Sequence, residues 1–120
     1  MRGQVRIKKS DSHIESGSNS NGNWIKYGDG TMIQSGIKDF TTNVTTSGFN
    51  GYTQIIGITF PTNFIDTDYS INVISKFIIS WFPRFQSTPA VGSISMYAWR
   101  AGTDTGNLDT YRWQAIGRWK

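Results

Sequence analysis

The chain has no cysteine, which excludes disulfides, thiolate metal sites and thiol chemistry. Among its 120 residues there is one histidine, His13, and one leucine, Leu108. A Ser-His-Asp or Cys-His arrangement would have to recruit His13, which sits in a polar leader, so a catalytic triad is not expected. No apolar run approaches the roughly 20 residues that a membrane helix requires. The opening residues Met1 to Gln4 lack the hydrophobic stretch of a secretory signal. A role outside a cell would then be reached by assembly into a particle or by lysis. Glycine-rich phosphate loops are missing too: Gly28-Asp29-Gly30 leads into strand-like sequence, not into a helix.

What remains is aromatic and β-branched. Aromatic residues make up 14% of the chain, five of them tryptophan, while leucine is nearly absent. Such side chains suit a pleated surface, so the core is expected to form from a few large rings carried on strands. The net charge of +4 is unevenly placed. Arg2, Arg6, Lys8 and Lys9 lie in the first nine residues, where there is no acid. From Ser10 onward eight basic residues face eight acidic ones. The body is neutral, so a nucleic-acid stripe is not indicated, and the basic arm reads as a solvated leader.

At this length one domain is expected. Residues 1–23 read as leader, linker or the end of a preceding segment, with one short strand around Val5 to Lys8. The run Glu15 to Asn23 has no apolar side chain to bury, which favours linker or an extended crossing. Residues 24–120 read as the head. Trp24-Ile25-Lys26-Tyr27 and Thr31 to Ile37 form a hairpin about the turn Gly28-Asp29-Gly30, with Asp29 and Gly30 as structural turn residues. Residues 41–51 are expected as loop. Tyr52 to Phe60 is a strand with Ile56, Ile58 and Phe60 on one face, stopped by Pro61. Tyr69 to Phe77 alternates, as does Gly92 to Arg100, with Ile94, Met96 and Ala98 inward. After a polar turn at 102–109, Tyr111 to Trp119 closes the chain with Tyr111, Trp113 and Ala115 inward. Short strands separated by turn signals predict an all-β antiparallel sandwich.

Three ordered blocks carry a resemblance to a known family. They are Ser16 to Gln34, with Asn23-Trp24-Ile25-Lys26-Tyr27 leading to Thr31-Met32-Ile33-Gln34; Ile58 to Val73; and the ending Trp113 to Lys120. Together they resemble the C-terminal receptor-binding domains of bacteriophage tail fibres of the gp53-like type. Ser35 stands where that family carries an aromatic residue. The resemblance implies a β-sandwich head, assembled as a homotrimer at the tip of a virion's fibre and attaching to a bacterial surface polysaccharide or other glycopolymer. It implies no cofactor and no membrane insertion. Exposed aromatics such as Trp81, Tyr97 and Trp99 give self-association a physical motive.

A saccharide site needs an aromatic face for the apolar side of the sugar and polar groups for its hydroxyls. Two stretches supply both: Trp81 and Arg84 in an aromatic loop at 80–90, and Tyr97, Trp99, Arg100, Asp104 and Asn107 further on. Asp66 and Asp68 read as turn residues and not as a carboxylate pair. Trp119 reads as a structural anchor for the last strand. The competing functions are a structural trimerisation cap that binds no ligand, and, less favoured for want of acid–base groups, a polysaccharide depolymerase.

Overall fold

The computed structural model describes residues 13–75 and 88–120, and the backbone of residues 84–85. Its described residues are all-β, as expected, and contain no helix that could cross a membrane. The strands are β1 His13–Asn19, β2 Gly22–Tyr27, β3 Thr31–Val44, β4 Thr46–Gly48, β5 Gly51–Thr59, β6 Ser70–Ser75, β7 Arg84–Phe85, β8 Ser93–Arg100 and β9 Asp104–Arg118. They form two antiparallel sheets, one in the order β1-β2-β3-β9-β6 and the other β4-β5-β8-β7.

Period-2 alternation places the core between the sheets. Met32, Trp113 and Ala115 face inward from the five-stranded sheet; Ile58, Ile94 and Met96 meet them from the four-stranded one. Tyr111, Ile56 and Ala98 continue the layer, with Phe40 meeting Tyr111 edge-on at a centroid distance of 5.0 Å. The crossover after β5 contributes Phe60, Phe64 and Tyr69, and their rings contact one another at 4.7–5.3 Å. Edge and offset geometry of this kind adds roughly 0.5–1.5 kcal/mol per pair beyond area burial. The Tyr69 hydroxyl donates to the Ala90 carbonyl at 2.7 Å, and burial pushes its pKa up. Asp68 N–H donates to the Asp66 carboxylate at 2.9 Å, an Asx turn that leads into β6.

Three segments depart from the sequence expectation. The polar run at 15–23 is not linker: it supplies most of β1 and the turn into β2. An edge strand needs its backbone ladder more than it needs buried side chains, and this one adds local ties. Lys26 and Trp24 both reach the Glu15 carboxylate, at 3.2 and 3.1 Å. The Trp24 hydrogen bond, then Lys26, hold the Glu15 pKa below its usual value. Residues 41–51 are not loop, because β3 continues to Val44 and β4 follows. This extension contains a bulge between Thr41 and Asn43. Gln54 fills it, donating to the Thr41 carbonyl at 3.0 Å and accepting from Asn43 N–H at 2.7 Å. The polar stretch 104–109 is likewise strand, the beginning of β9.

The chain end is tied to the β2–β3 turn. Trp119 Nε1 donates to the Tyr27 carbonyl at 2.8 Å, and Trp119 N–H to the Gly30 carbonyl at 2.9 Å. Arg118 donates to the Asp29 carbonyl at 3.0 Å. Gly30 has φ +98°, and a Cβ there would lie 2.2 Å from the Arg118 guanidinium. Asp29 accepts from Thr31 N–H at 2.9 Å, and that bond lowers its pKa. Trp119→Phe keeps most of the ring packing but removes the indole donor. Chemical denaturation should show a loss of about 1–2 kcal/mol, and an unchanged midpoint would contradict the anchor.

Candidate functional site

Gly48 pairs with Gly51, so Phe49 and Asn50 form a two-residue hairpin loop between β4 and β5. Both have positive φ, 54° and 60°. A type I′ turn requires this, but it normally recruits Asn and Gly because side chains resist the left-handed region. A phenylalanine there is strained on the order of 1–3 kcal/mol and persists only where its surroundings hold it. Trp99 Nε1 donates to the Phe49 carbonyl at 3.1 Å, and the Phe49 ring meets Tyr97 edge-on at 5.2 Å. Gly51 lets Trp99 come this close, since a Cβ there would lie 2.8 Å from Trp99 Nε1.

The turn borders an open groove of about 600 Å³. Phe49, Ile55 and Tyr97 supply apolar surface; Asn43, Thr46 and Ser47 supply a carboxamide and hydroxyls, and Thr53 and Gln54 line it with polar groups already hydrogen-bonded within the fold. Phe49 is 49% exposed and Ile55 is 56% exposed. Among the described residues no charged side chain lines the groove; the Arg84 side chain, whose backbone pairs opposite Tyr97, lies outside them. Its floor is set by the β5–β8 register, which places Ile55 opposite Tyr97 and Thr53 opposite Trp99. Thr53 is tied in turn to the Thr46 carbonyl at 3.2 Å, which fixes β4 beside the groove.

The residues singled out from the sequence fall into separate places. Tyr97 lines the groove, and Trp99 stands behind its turn. Arg100, Asp104 and Asn107 form their own cluster at the β8–β9 connection. There the Asp104 Oδ1 atom accepts from Arg100 at 3.3 Å and from Asn107 at 2.8 Å. Asp104 Oδ2 is buried and has no hydrogen-bond partner among the described residues. Trp81 and the Arg84 side chain lie outside the described residues, though the Arg84 backbone pairs opposite Tyr97. Asp29, Gly30 and Trp119 are at the chain-end tie.

Sequence reasoning missed Phe49, Asn43, Thr46, Ser47 and Ile55. Gly48-Phe49-Asn50-Gly51 did carry a signal: an aromatic residue within a glycine-flanked turn between two threonine-rich segments. The apolar patch is also displaced from the expectation. Tyr97 and Trp99 are half-buried around the turn, whereas the strongly exposed Ile37, Ile74 and Leu108 lie on strands of the other sheet.

No family model matches the chain, and no curated protein sequence matches it. Among solved structures, an N-truncated R1-type pyocin tail fibre is similar over 87% of this chain and 86% of that one. The TM-score is 0.57 at 17% sequence identity. At this identity the likeness speaks to architecture: the chain shares the fold of a tail fibre.

Proposed function

We propose that this protein is the receptor-binding head of a phage or phage-like tail fibre, of the gp53-like type, and that it attaches to a bacterial surface saccharide. The observation that carries the reading is the groove, uncharged among its described residues, beside a strained, exposed Phe49. Strain of this kind favours a displayed side chain over an optimal turn. An aromatic ring flanked by carboxamides and hydroxyls is the chemistry that takes a sugar's apolar face and its hydroxyls together. The tail-fibre fold supports a role on a virion-like particle, and the family resemblance implies a head assembled as a homotrimer. The groove is read as binding and not catalytic, because its described lining residues include no acid, base or histidine.

The lining also defines the ligand class. With no cation among its described lining residues to pair with a phosphate or carboxylate, the groove suits a neutral saccharide segment. Full-length protein applied to an array of neutral and anionic bacterial surface glycans should bind neutral members. Its affinity should change by less than about twofold between low and high salt, because uncharged contacts are not screened. Retention confined to anionic glycans and lost in salt would contradict the reading.

A further inference from the structure

The outward face of the five-stranded sheet is built in cross-strand rows. Ile25, Ile33 and Ile116 stand side by side across β2, β3 and β9. The next row, Asn23, Ser35, Gln114 and Asn72, is polar and uncharged. After it come Ile37, Arg112 and Ile74, and Leu108 lies further along β9. Ile37 is 58% exposed, Ile74 60% and Leu108 64%. A solitary exposed aliphatic residue is ordinary, but repeated rows on one flat sheet form a patch.

We infer that this face is where copies of the same chain meet. Its chemistry is complementary to itself. Aliphatic rows pack against aliphatic rows, and carboxamides both donate and accept hydrogen bonds, so they can satisfy each other. Of the charged residues on this face, Arg118 is tied to the Asp29 and Lys120 carbonyls, whereas Arg112 and Asp39 form no ion pair with each other among the described residues. Asp39 accepts from the Thr110 hydroxyl at 2.6 Å, and Arg112 stands one row away between two isoleucines. Neighbouring copies around a threefold axis bring an acid for Arg112 and a cation for Asp39.

The size fits as well. At a strand spacing of about 4.8 Å, β3 and β9 from Thr31 to Thr41 with the shorter stretches of β1, β2 and β6 beside them give a footprint on the order of 600 Å². Side-chain relief raises the accessible area towards the roughly 800 Å² per partner of a stable interface. The inference rests on the homotrimer reading above and names the surface that would hold the trimer together.

The test is the mass of the full chain in solution by light scattering, read beside circular dichroism. The wild-type chain is expected to be oligomeric at micromolar concentration. Ile37→Glu combined with Ile74→Glu should give a monomer with an unchanged β spectrum, since both side chains are solvent-exposed in the single chain. Ile55→Glu, equally exposed but on the groove sheet, should leave the oligomer intact. Arg112→Glu should weaken assembly at least tenfold, and adding Asp39→Arg should restore it. If the double variant keeps the wild-type mass, the face is wrong although self-association stands. A monomeric wild-type chain would overturn both this inference and the homotrimer reading.

Discussion

Replacing Gln34 with alanine is expected to remove about 3 kcal/mol of folding stability, the largest single-site loss outside the apolar core. Gln34 is fully buried on β3. Its Nε2 donates to the Thr62 carbonyl at 2.9 Å, and its Oε1 accepts from Thr62 N–H at 3.0 Å. The side chain thus acts as one more strand residue for a crossover that has left both sheets. That crossover delivers Phe60 and Phe64 to the core and is held elsewhere by Phe64 N–H to Val91 and Ile65 N–H to Arg118. Truncation leaves both Thr62 backbone groups without their partner and opens a cavity. Gln34→Met separates the two effects, because it nearly preserves volume while removing both hydrogen bonds. Urea unfolding should still show a loss of about 2 kcal/mol for Gln34→Met. A midpoint equal to wild type would mean that the clamp contributes nothing.

Phe49→Gly has the second large effect, and here stability and binding should move apart. Glycine adopts the left-handed region freely, so the substitution releases strain of roughly 1–3 kcal/mol. It also removes the edge contact with Tyr97, which contributes about 0.5–1.5 kcal/mol. The two terms nearly cancel, and the thermal midpoint should hold or rise. Saccharide binding should fall at least tenfold, because the exposed ring is the largest apolar surface at the groove's rim. A residue kept only to make the hairpin would behave in the opposite way: its replacement by glycine would leave ligand affinity untouched.

How much of this was legible depended on what each segment buries. Ile56-Gly57-Ile58, Ile94-Ser95-Met96 and Tyr111-Arg112-Trp113 each have one face in the core, so period-2 alternation is written into them. The hairpin at 24–37 was legible from its turn residues. β1 was not, because an exposed edge strand is held by backbone pairing and a few local ties, which impose no apolar pattern. The extension of β3 was hidden for a related reason. Its bulge is stabilised by Gln54, a residue on another sheet, and no local pattern announces a long-range amide clamp. The site was legible only at Tyr97 and, behind it, Trp99. Phe49 looked like an aromatic in a loop, since positive φ at a non-glycine residue is a property of the folded backbone. The exposed rows of isoleucine were invisible for the opposite reason. Alternation shows that one face is apolar, but Ile33, Ile37 and Ile74 lie on the face opposite the core, and only the sheet order brings them together.

The sandwich then offers a groove beside the β4–β5 turn and a self-complementary surface on the five-stranded sheet. The measurement that bears most directly on the groove is the affinity of wild-type and Phe49→Gly protein for a neutral glycan retained on the array, taken alongside their melting curves. The account predicts an affinity at least tenfold weaker for the variant with a thermal midpoint equal to or above wild type. Equal affinity in the two proteins would contradict it.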